Sequence, residues 1–368
     1  MINMGELFRY ERIGDADMAR VTLSPDLLAR SLVESGDLLF ARRSLQLSGA
    51  GRCSIVVPAR EPRTFESSII RVRLDLARAV PEFFYYFFKS RAGRETMNTI
   101  VEQAVVAGIR ASDLRMLSVP VPALEEQRGI VSALAALDDK IESNRRAIAL
   151  VQNLIRATFD QWRNRFPVER IVTFGEFADV YGGATPKTGV RNFWEGDIAW
   201  ATPTDITALS APYLFGTART LSEAGLASTS AKLHPVGTIL MTSRATIGAF
   251  AVNEVPTATN QGFIAVRPRD PGHRWFLLEE MRSRVPEMLD RANGSTFMEL
   301  SRGNFKTMSI GLPAESGLAE LHSLLGPLHA RSSQLDRECS KLANFRDALL
   351  PELLSGRVRV PESEEVLA

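Results

Sequence analysis

The chain has 368 residues, of which 45% are hydrophobic and 24% charged, and this composition excludes a fibrous or disordered protein. Its 44 basic and 43 acidic residues leave a formal net charge of +1, so any nucleic acid must be bound by local patches or with the help of partners. The apolar run Phe83 to Phe88 is too short to span a membrane, no signal peptide is seen, and two cysteines, Cys53 and Cys339, indicate no disulfide framework. These features favour the cytoplasm.

The first part of the chain predicts a β-rich module. Gly36 to Arg43 reads as a glycine turn followed by a strand that ends in basic residues, and Ser68 to Arg73 reads as a second strand. An aromatic helix over Phe83 to Arg91 follows, and then a short apolar strand with proline stops over Leu117 to Pro122.

A long helix is predicted directly after this module, with apolar residues at alternating steps of three and four. Its seam consists of Leu134, Leu137, Ile141, Ile148, Val151, Ile155 and Trp162.

The remainder of the chain repeats the same pattern. Gly237 to Arg244 matches Gly36 to Arg43, Gly262 to Arg267 matches the second strand, and Phe276 to Arg284 matches the aromatic helix. Met308 to Pro313 then repeats Leu117 to Pro122 at an offset of 191 residues, again followed by a long helix. The seam of this helix begins at Leu318 and Leu321 and continues through Leu325, Leu328, Leu335, Cys339, Leu342, Leu349 and Leu353.

The two heptad seams predict that the long helices pair with each other. A helix of ~40 residues is ~60 Å long and carries too narrow an apolar stripe to be enclosed by one globular core. The alternative is two ordinary amphipathic helices packed on separate domains. We therefore predict an α+β fold in which two β-rich modules are joined by an antiparallel coiled coil, with a pseudo-two-fold internal repeat. Such a rod would hold two similar but different readers apart, as a bipartite asymmetric target requires.

Sequence motifs of a free-standing enzyme are missing. Tyr181 to Gly189 lacks the glycine-lysine-serine/threonine ending of a phosphate loop and is interpreted as a turn. The four histidines have no metal-ligand spacing, so no metal site is predicted, and no nucleotide fingerprint or serine elbow is found. Any catalysis is expected to belong to other subunits.

Several motifs in fixed order resemble the specificity subunit of Type I restriction-modification systems. They are Pro122 to Arg128 at the start of the first long helix, Gly183 to Lys187 with Asn192 to Trp200, Thr202 to Ile206, Ser243 to Gly248, and Ala258 to Phe263. The resemblance covers nearly the whole chain.

That resemblance implies a non-catalytic, DNA-binding subunit with two target recognition domains. It implies partners: double-stranded DNA, two modification subunits that use S-adenosylmethionine to methylate adenine, and two restriction subunits that use ATP and Mg. No cofactor is implied on this chain. Each recognition domain would read half of a split target, and the coiled coil would set the unspecified gap between the halves.

The resemblance also implies domain boundaries. They are a first recognition domain over residues 1–122, a central long helix over 123–165, a second recognition domain over 166–313, and a C-terminal helix with its tail over 314–368. The first domain is expected to lack a counterpart of Ile171 to Trp200, because Met1 to Phe8 aligns with Ala201 to Ala208. A late start site, a fragment and a degenerate copy all remain open explanations.

Candidate DNA contacts are chosen by position and chemistry. Strand ends and turns that carry hydroxyl, amide or basic groups suit phosphate and base edges. The candidates are Arg42, Arg43 and Ser44 in the first domain, and Lys187, Thr202, Thr242, Ser243, Arg244, Thr246, Asn260, Gln261, Arg302 and Lys306 in the second. The Asn260–Gln261 turn equally suits hydrogen bonds to its own backbone.

The sequence is also compatible with one other function. The near-neutral charge and the shortened first domain also permit a coiled-coil scaffold, or a degenerate specificity protein, whose modules bind proteins and do not read DNA.

Overall fold

The computed structural model describes residues 1–102, 106–294 and 298–359. The chain divides into two compact units: the first comprises Met1–Lys140 and the chain from Leu342 onward, and the second comprises Ile141–Lys341. The end of the predicted C-terminal tail, residues 360–368, lies outside the described residues. Both predicted long helices therefore contribute to both units.

The first unit is built around a four-stranded sheet. Its helices are α1 (Met4–Arg9), α2 (Pro25–Ser31), α3 (Pro81–Lys89), α4 (Arg91–Asn98) and α5 (Ala111–Met116). Its strands are β1 (Arg12–Ile13), β2 (Leu38–Ala41), β3 (Arg43–Ser44), β4 (Cys53–Val56), β5 (Ile69–Val72) and β6 (Ala107–Gly108). The sheet order is β1-β4-β2-β5, with β1 parallel to β4 and the other neighbours antiparallel, while β3 and β6 form a separate ladder. Helix α6 (Leu124–Arg165) begins in this unit and ends in the second.

The second unit has the same plan with more strands. Its strands are β7 (Arg170–Thr173), β8 (Ala178–Gly182), β9 (Trp194–Ala201), β10 (Tyr213–Leu214), β11 (Thr220–Leu221), β12 (Ile239–Thr242), β13 (Phe250–Asn253), β14 (Thr257–Thr259), β15 (Phe263–Pro268) and β16 (Ser309–Leu312). Its helices are α7 (Phe174–Phe177), α8 (Pro203–Thr207), α9 (Glu223–Ala227), α10 (Arg274–Ser283), α11 (Val285–Asp290), α12 (Arg302–Lys306) and α13 (Glu315–Leu354), the last of which ends in the first unit. Short 3-10 turns occur at Arg191–Phe193 and Pro271–His273 in this unit and at Leu47–Gly49 in the first unit.

The internal repeat is visible in the strand order. The main sheet of the second unit runs β10-β13-β12-β15-β8, and β10, β13, β12 and β15 correspond to β1, β4, β2 and β5. Gly36 and Gly237 precede the central strands with φ angles of 91° and 86°, a left-handed conformation that only glycine adopts without strain. The α+β prediction with two similar modules and two long helices is confirmed. The first unit has no described strand equivalent to β8.

The repeat can be aligned at the start of the chain through two helix caps. In the second unit the Thr202 backbone N–H donates to Asp205, and in the first the Asn3 backbone N–H donates to Glu6; both form capping boxes. These caps place Thr202 opposite Asn3. The structural offset here is one residue smaller than the sequence alignment of Met1 with Ala201 suggests.

The prediction of a strand over Leu117 to Pro122 is wrong. Its equivalent in the second unit, β16, is a strand because it pairs antiparallel with β7. Residues 117–122 have no described counterpart of β7 to pair with and are irregular. A short apolar segment without a hydrogen-bonding neighbour does not stay in strand geometry.

In the first unit, α6 and the end of α13 pack on the same core. Ile130 and Leu134 from α6 and Leu350 and Leu353 from α13 are buried in one cluster with the aromatic residues of α3. At the edge of this cluster Asp138 accepts hydrogen bonds from Tyr86 Oη, at 2.6 Å, and from Arg346. Burial would lower the pKa of Arg346, but the hydrogen bond and the charge of Asp138 raise it above its usual value. This ion pair fastens the two helices to each other and to α3.

In the second unit, the remaining parts of the long helices pair antiparallel. Cys339 lies against Ile141, Gln152 Nε2 donates to Ser332 at 3.0 Å, and Trp162 Nε1 donates to the Gly317 carbonyl at 2.9 Å. Residue numbers rise along α6 while they fall along α13, which defines the antiparallel sense. Every predicted seam residue is buried or partly buried. They are Leu134, Leu137, Leu342, Leu349 and Leu353 in the first unit, and Ile141, Ile148, Val151, Ile155, Trp162, Leu318, Leu321, Leu325, Leu328, Leu335 and Cys339 in the second.

A buried histidine lies where α13 packs on the sheet of the second unit. The His329 ring is fully buried, stacks on Trp275 with ring centroids 3.8 Å apart, and its Nδ1 shares a hydrogen bond of 2.9 Å with Tyr213 Oη. Burial, reinforced by Arg282 and Arg274, lowers the pKa of His329 to about 3. The Glu279 carboxylate is 3.9 Å away but is already paired with Arg282 at 2.8 Å. The folded protein therefore holds His329 neutral.

The ion pair between α6 and α13 yields a stability prediction. Replacing Arg346 with leucine removes the ion pair of the buried Asp138 carboxylate and leaves the Tyr86 hydroxyl as its described hydrogen-bond donor. We expect a loss of about 3–5 kcal/mol in the free energy of unfolding, measured by urea denaturation. The matched control is Arg128→Ala, which removes an exposed pair with Glu125 on the same helix and should change stability little. Equal effects of the two substitutions would contradict the role of the buried pair.

The neutral His329 predicts a pH dependence. Its folded pKa lies below the unfolded value of about 6.5, so below that pH the unfolded chain takes up a proton that the folded chain refuses. Stability should fall by about 1.4 kcal/mol per pH unit from this residue as pH drops from about 6 toward 4. His329→Phe keeps the ring stack and should remove this slope, whereas the exposed His322→Phe should retain it. Parallel stability-versus-pH curves for wild type and His329→Phe would show the assignment to be wrong.

Candidate nucleic-acid interface

Five loops of the second unit meet along one edge, which we call the loop edge: residues 183–187, 201–203, 243–246, 260–262 and 298–302. The Ala184 N–H donates to Thr259 O at 2.9 Å and the Asn260 N–H to Ala201 O at 3.0 Å. The Ser243 N–H donates to Gly262 O at 2.8 Å, and the Leu300 N–H to Ser243 O at 3.0 Å. A continuous set of backbone hydrogen bonds thus fixes the loops against one another, and rigid scaffolding of this kind suits a recognition surface.

One glycine is required for this arrangement. A Cβ at Gly183 would lie 2.0 Å from the Asn260 carbonyl oxygen and 2.3 Å from that of Thr259. Only glycine permits the close approach of the 183–187 loop to the turn after β14. The glycine-alanine-threonine-proline motif therefore has a packing role.

Two tryptophans hold the same loop from its other side. Trp200 Nε1 donates to the Ala184 carbonyl at 3.2 Å and Trp194 Nε1 to the Lys187 carbonyl at 3.3 Å. The guanidinium of Arg219 lies 3.6 Å from the centre of the Trp194 ring and 5.5 Å from that of Trp200. Arg219 is an exposed cation that the sequence reasoning missed, because it reaches the tryptophans only through the pairing of β11 with β9.

Arg244 is an exposed cation directly after the end of β12. Its Nε lies 2.8 Å from Glu299, and both side chains are more than 40% exposed. The next residue, Ala245, has φ 57°, a strained conformation for a non-glycine residue, and its N–H donates to Met298 O at 3.2 Å. An exposed pair of this kind contributes little to stability, so Arg244 can exchange Glu299 for another anion at small cost.

Two of the candidate contacts beside Arg244 have structural roles. Thr242 is fully buried and its hydroxyl accepts from the Ala249 N–H at 3.0 Å, while Ser243 is 3% exposed. Neither side chain presents a surface to solvent in this structure, and their DNA contact stays a prediction. Strand β12 is covered on both faces, so its residues are all buried and do not alternate between buried and exposed.

The polar candidates in the turns already make hydrogen bonds within the protein. Asn260 Oδ1 accepts from the Gly262 N–H at 2.8 Å, the backbone bonding considered from sequence. Gln261 is exposed and accepts from the Thr185 hydroxyl. Thr202 is the N-cap of α8 and its hydroxyl donates to Asp205 at 2.6 Å. Of these, Gln261 presents most surface.

The remaining candidates of the second unit are distributed over several surfaces. Lys187 is exposed in the loop edge, and the exposed Arg302 lies beside Gly182, where a Cβ would be 3.4 Å from its Nη1. Lys306 packs instead beside Gly175 of α7. Thr246 lines a cavity with Ile206 and Ser210. The loop edge thus contains the exposed cations Lys187, Arg244 and Arg302, and Arg219 lies next to it on the tryptophans that hold the 183–187 loop.

The first unit has an equivalent basic strand end. Arg42 and Arg43 are exposed, and Arg43 pairs in register with Gly108 as Arg244 does with Glu299. Because Gly108 has no side chain, Arg43 makes no ion pair with any described residue at this position. The Ser44 hydroxyl accepts from the Gln46 N–H at 3.1 Å and therefore stabilises the following turn.

One group of possible metal ligands was not found from sequence. Oxygen or nitrogen atoms of Asp270, His273 and Glu315 lie within 4.8 Å of one another. Asp270 caps the adjacent turn through the Gly272 N–H, and His273 Nε2 lies 2.8 Å from Glu315, so these groups already serve each other. Among the described residues, no helix has the length and apolar character needed to cross a membrane.

Comparison with known proteins places this architecture. The model of the Type I restriction modification DNA specificity domain matches residues 28–153 and 169–316. The MjaIX specificity subunit of Methanocaldococcus jannaschii is 34% identical over 160 residues, which cover 43% of this chain and 36% of that protein. The HindI specificity subunit of Haemophilus influenzae is 20% identical over 409 aligned positions, covering 90% and 88% of the two chains.

A solved structure supports the fold. The S subunit of the Type I restriction-modification system of M. genitalium superposes with a TM-score of 0.52 at 16% identity, covering 96% of this chain and 89% of that one. The match to the archaeal relative spans about a third of that relative's length. The family model, however, matches both repeated units, and the chain therefore belongs to the family of the Type I restriction modification DNA specificity domain.

Proposed function

We propose that this chain is the DNA-binding specificity subunit of a Type I restriction-modification system and has no catalytic role of its own. The observation that carries the proposal is the family match, which covers both modules of the internal repeat. Two different modules suit a bipartite, asymmetric target. The loop edge with its exposed arginines and Gln261 supplies phosphate and base-edge donors.

The partners follow from this assignment. Two modification subunits would bind S-adenosylmethionine and methylate adenine in the cytoplasm, and two restriction subunits would use ATP and Mg. The low net charge of +1 supports shared DNA binding, because the partners then supply part of the positive field. The scaffold alternative is not favoured by the relatives named above.

The proposal is tested by sequencing the adenine methylation of the native host with and without this gene. We expect one bipartite methylated motif to disappear on deletion and to return on complementation. An unchanged methylome, together with no methyltransferase co-purifying with the tagged chain, would favour the scaffold reading.

Arg244 is expected to contribute to DNA recognition. In the complex assembled with its modification subunits, Arg244→Ala should weaken binding to the methylated motif by about 10- to 100-fold, measured by fluorescence anisotropy. Glu299→Gln should strengthen binding, because it releases the guanidinium. The control is Arg269→Ala, which removes an exposed guanidinium away from the loop edge together with its ion pair to Asp179 and its hydrogen bonds to the Gly175 and Glu176 carbonyls. Unchanged affinity in Arg244→Ala would remove this residue from the interface.

The long helices are expected to act as a ruler for the gap in the target. Inserting seven residues into both α6 and α13, in register, lengthens the pair by ~10 Å. At about 3.4 Å per base pair, the preferred gap should grow by about three base pairs. Methylome sequencing of a host carrying this variant measures the gap directly, and an unaltered gap would contradict the ruler.

A further inference from the structure

The first unit has an apolar groove at the open edge of its sheet. Strand β5 pairs with β2 on one side and has no described neighbour on the other. A cavity of about 560 Å³ lies there, lined by Phe40, Ile70, Val72, Leu114, Leu117 and Val119 among others. We call this cavity the β5 groove.

The second unit shows how the same surface looks when it is covered. There β15, the equivalent of β5, pairs with β8, and β16 pairs with β7. Phe174, Ala178 and Val180 of this covering segment are buried, and the Phe174 ring stacks on Phe305 at 4.6 Å. The segment thus supplies both strand pairing and apolar contacts.

Equivalent apolar side chains are more exposed in the first unit than in the second. Phe305, Met308, Ile310 and Leu312 are at most 2% exposed. Their counterparts at the offset of 191 residues are Leu114, Leu117, Val119 and Val121; the first three are partly exposed and Val121 is 52% exposed. The difference follows from the covering segment, since the residues beneath it are apolar in both units.

Charge also favours a segment of this kind. The β5 groove is lined by Arg71, Arg73, Arg78 and Arg115, with Asp75 as its acidic residue. Arg73 is already paired with Glu34 and Asp37, so the basic excess of the groove comes from Arg71, Arg78 and Arg115. Residues 169–183 carry three acidic groups, Glu169, Glu176 and Asp179, against one basic group, Arg170. In the second unit Asp179 lies 2.8 Å from Arg267, whereas the counterpart of Arg267 in the first unit, Arg73, lies 2.7 Å from Asp37.

We propose that the β5 groove is a docking site for an extended polypeptide segment with the chemistry of residues 169–183. One part of the segment pairs with residues 117–121 as β7 pairs with β16. The other adds antiparallel to β5 as β8 adds to β15, and an aromatic residue equivalent to Phe174 fills the cavity. The inference stands on the internal repeat and does not depend on DNA binding.

The experiment uses the full chain and a fluorescent synthetic peptide of residues 169–183. We expect saturable binding by anisotropy and slower amide hydrogen exchange at residues 69–74 and 117–121. A peptide carrying Phe174→Asp and Val180→Asp should bind at least about tenfold more weakly, because it places charge in the apolar cavity.

A pair of matched substitutions in the protein locates the site. Val119→Asp should weaken peptide binding, whereas Met116→Asp, at a residue that is 81% exposed and outside the groove lining, should not. Absence of saturable binding overturns the proposal. If the peptide binds only after deletion of residues 360–368, the chain's own tail occupies the groove. If exchange protection rises with protein concentration in the absence of peptide, a second copy of the chain occupies it. Either result also overturns the proposal.

Discussion

The packing of α13 on α6 is the constraint on which each unit depends. In the second unit Ile155, Trp162, Leu318, Leu321 and Leu325 belong to the same buried cluster as the main sheet. In the first unit the helix residues join the cluster of the aromatic helix α3. Each fully buried leucine contributes roughly 1.5–3 kcal/mol. Neither sheet could keep its apolar face out of water if the helices separated, so the helices are part of each module's core.

The same constraint explains what could be predicted from sequence. A heptad seam over about 40 residues is a strong signal, and the structure has long helices at Leu124–Arg165 and Glu315–Leu354. The central strands could also be predicted, because Gly36 and Gly237 mark the turns before them. These features are encoded locally, in the period of the apolar residues and in the residues that stop each element.

Features that depend on distant partners could not be predicted. Residues 117–122 have the composition of β16 but lack its neighbour, and strand geometry requires that neighbour. Thr242 has the polarity of a surface residue, but β13 and β15 flank its strand and its hydroxyl satisfies a backbone N–H. Arg219 is distant in sequence from the tryptophans on which it lies. The threonine-proline-threonine-aspartate sequence that begins at Thr202 has the pattern of a capping box, and this pattern alone indicates a helix start there.

A DNA-binding protein with a net charge near zero depends on a few basic side chains that can exchange a carboxylate of the protein for a phosphate or a base. The two units differ at equivalent arginines, because Arg244 pairs with Glu299 whereas Arg43 lies opposite Gly108. In the second unit the exposed Glu299 carboxylate holds the Arg244 guanidinium in place, whereas Arg43 has no ion-pair partner among the described residues opposite it. Exchange of Glu299 for a phosphate or a guanine edge costs little in an exposed pair, whereas a bidentate base contact discriminates by about 1–3 kcal/mol. In the proposed complex, specificity would come from the fixed geometry of the loop edge, and the number of phosphates that the protein neutralises would set how strongly salt weakens binding.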